Sequence, residues 1–313
     1  MHIFNAIFPV VAIAALGYAI RYFKVLTAND GETMERIAFN FLIPCLLFLG
    51  TATTQLPANM DWMFLLAFFL TVLLVYLLSM GIGSVMFGYS IRELSVFGMG
   101  GAYSNVTVLG LPITLEILGN KALVPMFIII SVHNLLIFSF GTVVAESKSA
   151  AGNNLPQHLL HILQEMLLNP ISGSLIAGLV FNLLGFSLYP ALLATLEMIS
   201  RAAIPGAIFA LGVALTRYQV RGQIPAAITM VGLKLLVLPA LMWLMMTQVF
   251  SVQQDWMQTA VVMSCMPAGI SVYVFSRRYQ SCEAAAAAAI VISSLTAIAS
   301  ITLFTWLLGV GLD

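Results

Sequence analysis

Ten apolar stretches, each about as long as a hydrocarbon layer is thick, follow one another along this chain. They fall near residues 3–22, 35–54, 61–87, 94–118, 122–144, 166–186, 190–215, 224–250, 256–277 and 283–310, separated by turn and charge signals. A membrane-spanning helix needs about 20 consecutive apolar residues. The 313 residues therefore hold roughly ten spans and leave little for a separate soluble domain. Hydrophobic residues make up 61% of the chain and charged residues 8%, against roughly 25% charged in a soluble domain. A water-soluble globule is excluded, and an all-α polytopic membrane protein in contact with the lipid bilayer is predicted. The first stretch has no positive leading region and contains Pro9, so it reads as a retained helix and not as a signal peptide.

Charge placement sets the expected orientation. Twelve Lys and Arg balance twelve Asp and Glu, which leaves no basic surplus for phosphates and argues against nucleic acid as a partner. Assigned alternately, one set of loops holds Arg21, Lys24, Arg36, Arg92, Lys148, Arg217, Arg221, Arg277 and Arg278, and the other holds Lys121. The positive set is expected on the cytoplasmic side. Both termini then lie outside, in a multi-pass protein of the plasma membrane. The longest loop, 145–165, is a cytoplasmic linker that divides the chain into five spans (1–144) and five more (166–313).

Because five is odd, two related halves must insert with opposite topology, the arrangement of many secondary transporters. Shifting the first half by 161 positions places Pro9 on Pro170, Gly17 on Gly178, Ile43 on Ile204, Pro44 on Pro205 and Phe48 on Phe209. Chance among Ala, Leu and Ile is the competing explanation, yet two prolines coincide at one offset. In the fourth and ninth spans the offset slips, with Pro112 and Pro267 separated by 155 positions.

Those two spans carry the candidate chemistry. The fourth reads Gly98, Gly100, Gly101, Ala102, Tyr103, Ser104, Asn105, Val106, Thr107, Val108, Leu109, Gly110, Leu111, Pro112; the ninth reads Ser264, Cys265, Met266, Pro267, Ala268, Gly269, Ile270, Ser271, Val272, Tyr273. Both place Pro, Gly and small polar residues where a simple span is Leu, Ile or Val. Unwound backbone survives at membrane depth only where it is buried in protein or lines a wet cavity. Broken helices in matching positions point to a midplane binding site. A half-helix starting after each break presents N–H groups and a partial positive charge, which suit a carboxylate, and Asn105 and Thr107 add a donor each. The alternative is that Pro and Gly merely kink packed helices.

These residues also carry a family resemblance. The run from Asn105 through Gly110 and Pro112 to Ile113, the run from Met266 through Pro267 and Gly269 to Tyr279, and the opening with Pro9, Gly17, Tyr18, Phe23, Lys24, Asn40, Ile43, Pro44 and Phe48 resemble the auxin efflux carrier family over essentially the whole chain. That resemblance implies a ten-helix fold like that of bile-acid symporters and sodium/proton antiporters, with the fourth and ninth helices crossing at their prolines. It implies a scaffold of spans 1, 2, 6 and 7, forming a homodimer, and a transport domain of spans 3–5 and 8–10 that moves in an elevator-like step. It implies substrate contacts at Asn105, Gly110, Pro112, Pro267 and Gly269, and, by position beside them, Thr107, Ala268, Ser271 and Tyr273 join the candidate site. Bacterial members include malonate and other small-carboxylate transporters, which places this chain in an inner membrane. The long central loop of the plant carriers is missing here, and Val272 stands where they have a second proline, so the resemblance extends to small carboxylates and not to auxin.

Ionisable and polar residues inside spans are weighed separately, because a buried charge is costly unless paired or solvated. Lys234 in the eighth span is either a counter-charge or titrating group facing the cavity, or a snorkelling or structurally paired lysine. His133 and Asn134 in the fifth span are cavity candidates, with His133 placed for proton coupling. Asn40 in the second span is a further one. Glu197 and Arg201 have the i,i+4 spacing of a structural ion pair. His158 and His161 belong to the linker. Ser293, Ser294 and Ser300 in the tenth span are expected to bond back to their own helix.

Cys45, Cys265 and Cys282 have no metal-ligand spacing, and no nucleotide, metalloprotease or nucleophile-elbow motif occurs. No cofactor is read, and no acid, base and nucleophile converge, so the chain is not expected to be an enzyme. The expectation is a secondary transporter of a small mono- or dicarboxylate, driven by a coupled proton or sodium ion or by the membrane potential. A passive organic-anion channel or uniporter, and an ion-coupled carrier of a different solute, are the alternatives.

Overall fold

Spans that are apolar on nearly every face suit helices surrounded by lipid and by one another. The computed structural model describes residues 2–54, 61–147, 170–216 and 222–310. Its regular structure is helical: α1 (His2–Tyr22), α2 (Ala28–Ile37), α3 (Ile43–Thr53), α4 (Trp62–Phe87), α5 (Ile91–Ala102), α6 (Leu111–Leu118), α7 (Leu123–Glu146), α8 (Pro170–Leu183), α9 (Pro190–Leu215), α10 (Ile224–Gly232), α11 (Leu238–Leu244), α12 (Gln254–Ser264), α13 (Ser271–Arg278) and α14 (Glu283–Leu307). Among the described residues the one departure is an isolated antiparallel β-bridge between Ser104 and Ala268.

Six helical runs among the described residues are long and apolar enough to cross a membrane: Asn29–Thr53, Trp62–Phe87, Val106–Glu146, Pro190–Leu215, Ile224–Val249 and Glu283–Leu307. The protein is therefore a polytopic, membrane-embedded helical protein. The fourth and ninth apolar stretches do not form single rods, because each is divided: α5 from α6, and α12 from α13. The linker 145–165 from residue 148 onward, with His158 and His161, and the start of the sixth stretch lie outside the described residues.

Prolines explain where the helices loosen. A proline inside a helix offers no N–H to the carbonyl four residues earlier, and its ring crowds that carbonyl. Pro44, Pro112 and Pro239 each follow, after one intervening residue, a π turn: Ala38–Leu42, Val106–Gly110 and Leu233–Val237. One added residue per turn relieves the crowding, and i→i+5 bonds such as Leu238 N–H to Leu233 O replace the lost one. The carbonyl freed by Pro239 belongs to Leu235. It accepts instead from the Ser300 hydroxyl of α14 at 2.5 Å, as backbone in hydrocarbon must find some partner.

The helices form two compact units, one of α1–α3, α8 and α9, the other of α4–α7 and α10–α14. In the first unit, glycines set the spacing. A methyl group at Gly17 of α1 would overlap the Phe209 carbonyl of α9, and one at Gly178 of α8 would overlap the Phe48 carbonyl and Thr51 Oγ1 of α3. Gly178 is Gly17 plus 161, and Phe209 is Phe48 plus 161, so the two contacts are equivalent in the shifted numbering. Asn182 closes the same region by donating Nδ2 to the Thr51 and Thr54 carbonyls at the end of α3, at 2.8 and 2.7 Å. Glu197 and Arg201 are both exposed on α9, and no ion pair joins them among the described residues. That expectation is corrected: the spacing puts the two side chains on one face, but it does not oblige them to turn towards each other.

In the second unit α4 supplies a rod of about 39 Å, at 1.5 Å per residue over its 26 residues. Asp61 caps its start, and Gly88, at φ +64°, turns the chain at its end. Helix α5 opens with a reciprocal cap in which the Ser90 N–H donates to Glu93 Oε2 at 2.8 Å. Its glycines then allow close approach: a methyl at Gly98 would strike the Tyr76 ring, at Gly100 Met230, and at Gly101 Ser79. The Tyr76 hydroxyl donates to the Ser95 carbonyl at 2.6 Å, and Ser95 Oγ donates to the Gly141 carbonyl at 2.7 Å, joining α4, α5 and α7.

Candidate functional site

Helix α5 ends because Tyr103 turns extended, at φ −79° and ψ 118°. Helix α12 ends at Ser264, and the chain stays non-helical until Ser271. The two interruptions clasp each other. The Asn105 N–H donates to the Pro267 carbonyl at 2.9 Å, and Ser104 and Ala268 form the β-bridge. Two unwound strands thus satisfy one another's backbone where neither helix can. The Ala268 N–H reaches a third element, donating to Ser293 Oγ on α14 at 3.1 Å.

Asn105 is 7% exposed and acts as an N-cap. Its Oδ1 accepts from the Val108 N–H at 3.3 Å, and its own carbonyl accepts from the Gly110 N–H at 2.9 Å. The cap engages the side-chain oxygen and leaves the Nδ2 amide as the donor end. Thr107 and Gly110 are buried in the π turn, and Pro112 is buried in the first turn of α6. A methyl on Gly110 would lie 3.3 Å from the Asn105 carbonyl, so the glycine keeps this turn tight.

A polar cluster lies beside the clasp. The Tyr103 hydroxyl donates at 2.5 Å to Asn134 Oδ1 and also stands 3.2 Å from Ser271 Oγ, to which it donates in the alternative bond. A methyl at Gly269 would overlap the Tyr103 ring, so only glycine lets the ninth span pass there. The His133 ring stands 5.0 Å from that of Tyr103, centroid to centroid, and is fully buried. His133 Nε2 accepts the Ser104 N–H at 3.3 Å. An amide can only donate, so Nε2 presents a lone pair, and the neutral ring carries its proton on Nδ1. Nδ1 and Ser104 Oγ are both buried without a hydrogen-bond partner.

Lys234 is fully buried in the π turn Leu233–Val237, and its Nζ donates to the Ser264 carbonyl at 2.7 Å. It neither snorkels nor pairs with a carboxylate among the described residues.

The structure therefore gathers Asn105, Thr107, Gly110, Pro112, Pro267, Ala268, Gly269, Ser271, His133, Asn134 and Lys234 in the second unit. Tyr273 lies two residues into α13, half-buried. Asn40 belongs to the first unit, exposed in its π turn, and is not among them. Two serines need correcting. Ser293 does bond back to Ile290, at 3.2 Å, but it also holds the Ala268 amide, and Ser300 bonds to Leu235 of another span. A serine in an apolar helix looks the same whether it bonds within or across, so no local signal marked them. Ser104 went unnamed as a site residue for a related reason: its part is played by the backbone.

Comparisons with known proteins find membrane transport proteins. A family model described as membrane transport protein matches residues 2–305. A Rhizobium meliloti (strain 1021) protein named "Putative malonate transporter" is 28% identical over 312 residues, covering 97% of this chain and 95% of that one. A Methanothermobacter thermautotrophicus protein named "Uncharacterized transporter" is 24% identical over 245 residues, covering 75% of each.

Proposed function

As this chain belongs to the membrane transport protein family of the auxin efflux carriers, we propose that it is a secondary carrier of a small carboxylate, malonate among them, working by alternating access around the Asn105–Pro267 clasp. The observation that carries this reading is the clasp itself. Two broken helices meet in one unit, and each starts a new half-helix, at Asn105 and at Ser271, from the same place. Half-helix starts carry partial positive charge and favour an anion. The Asn105 Nδ2 amide adds a neutral donor, and the buried Ser104 Oγ and His133 Nδ1 add unpartnered polar atoms next to it.

In this proposal one carboxylate is received at the half-helix starts, with Asn105, Thr107, Gly110, Pro112, Pro267, Ala268, Gly269, Ser271 and Tyr273 around it. The second unit carries the substrate, and the first holds its place in the bilayer and pairs with a second copy. The division of the helices into two units supports that assignment of roles. The matching glycine contacts at an offset of 161 support descent from two halves of opposite topology. The positive loops support termini outside a bacterial inner membrane. An ion gradient or the membrane potential supplies the driving force.

Uptake of labelled malonate into proteoliposomes tests the reading, with an imposed pH gradient or potential, empty liposomes as control and a panel of carboxylates as competitors. Saturable uptake with counterflow from preloaded vesicles is expected. A folded preparation that takes up neither malonate nor any competitor removes the organic-anion assignment, and linear, non-saturating flux replaces the carrier with a channel.

A further inference from the structure

Lys234 holds a buried amino group against the end of a half-helix. Ser264 is the last residue of α12, an eleven-residue helix, and its carbonyl is one of those that helix geometry leaves without an intrahelical donor. The backbone dipoles place a partial negative charge there. The ammonium, 0% exposed, donates to that carbonyl at 2.7 Å. Among the described residues no carboxylate forms an ion pair with Lys234, so the partner its Nζ meets is the carbonyl end of the helix.

Two neighbouring features fix this position. Ser264 Oγ donates to the Val261 carbonyl at 2.7 Å, beside the Cys265 N–H, so the serine side chain turns back on its own helix and leaves the Ser264 carbonyl to the lysine. Ser300 holds the Leu235 carbonyl next to Lys234, which anchors the π turn that aims the side chain. In carriers built on broken helices, unwound carbonyls and half-helix C-terminal ends are where coupling cations bind. Here such an end is already filled by a cation tethered to the eighth span.

We propose that Lys234 is a built-in counter-cation, its ammonium occupying at the end of α12 the position of a freely exchanging coupling ion. The transport role of that cation rests on the carrier reading, whereas its occupation of the helix end does not. The consequence is that one positive charge travels with the second unit in every cycle, offsetting one charge of a bound dicarboxylate without an ion from solution.

The test uses the purified full-length protein and the variants Lys234→Ala, which opens the space, and Lys234→Met, which fills it with a neutral chain. Thermal unfolding and labelled-malonate uptake are measured in sodium chloride, methylammonium chloride and choline chloride at equal ionic strength. Wild type is expected to behave alike in all three. Lys234→Ala is expected to be slower by at least about ten-fold in choline, the scale of losing a buried charge-assisted hydrogen bond, and to recover both rate and unfolding temperature with sodium or methylammonium. Lys234→Met is expected to be slow in every salt. A wild type whose unfolding temperature or rate depends on sodium overturns the proposal, as does Lys234→Met working at the wild-type rate. If Lys234→Ala does not fold, the wild-type salt comparison and Lys234→Met decide. If wild type carries no carboxylate, the carrier reading fails separately. The unfolding data then stand alone: cation stabilisation confined to folded Lys234→Ala supports the tethered cation, and its absence there overturns it.

Discussion

The backbone amide of Asn105 donates to the carbonyl of Pro267 at 2.9 Å, and this bond joins two helices where both have come apart. A backbone group left unpaired in an apolar medium costs several kcal/mol, roughly 2–7 by reference state. The clasp therefore stabilises the breaks as well as aligning them. Around it Ser293, His133 and Asn105's own side chain satisfy the amides of Ala268, Ser104 and Val108.

Asn105 combines a cap with a free donor, and two substitutions separate these. Asn105→Ala removes both, and is expected to lower stability by about 1 kcal/mol, the usual value of an N-cap, and to depress carboxylate uptake strongly. Asn105→Asp keeps an oxygen for the Val108 amide but loses the donor and adds negative charge. It is expected to stay folded and transport poorly, as read by unfolding and by proteoliposome uptake. Wild-type uptake by the Asp variant would remove Asn105 from the substrate site.

Gly269 passes the Tyr103 ring too closely for any side chain. Gly269→Ala is expected to destabilise by about 1–3 kcal/mol, the range for overpacking, and to displace the Tyr103 hydroxyl from Asn134 and Ser271. Tyr103→Leu in the same chain should return part of the lost unfolding temperature. Failure of that double variant to recover would place the strain elsewhere.

Ser293→Ala strands the Ala268 amide and is expected to cost about 1–3 kcal/mol, the penalty of an unsatisfied buried group. Ser294→Ala, one residue along, is half-buried with no bond to the break and is expected to be near neutral. Equal unfolding temperatures for the two variants would mean that Ser293 does not hold the break.

Glycines of the first unit and of α4 should respond oppositely to alanine. Gly17→Ala and Gly178→Ala introduce methyl groups into the Phe209 and Phe48 carbonyls and should lower the unfolding temperature. Gly81 on α4 has nothing within 4 Å of its added methyl, so Gly81→Ala is expected to be neutral or to stabilise by up to about 1 kcal/mol, the helix-propensity gain over glycine. The comparison needs only thermal unfolding of the purified variants.

Much of this architecture is local in origin and hence legible in the residues. Apolar runs the length of a bilayer dictate helices, because backbone in hydrocarbon has few other ways to satisfy itself. Pro112, Pro267 and the glycines beside them mark the breaks, because the missing N–H and the missing Cβ act on the chain within a turn. Thus Asn105 and Gly269 could be singled out from the sequence. Residue types and spacing alone determined that this is a helical membrane protein with two interrupted spans.

Which groups meet across those interruptions was decided only by the tertiary structure. Lys234 could have snorkelled, paired or faced a cavity, and its partner, the Ser264 carbonyl, has no side-chain signature at all. Ser293 and Ser300 could have bonded within their own helix, as Thr305 does to Ile301. The physical reason is common to all three: apolar helix faces are nearly interchangeable in lipid, so the sequence carries little information about which face meets which. A buried polar atom takes its partner from that packing.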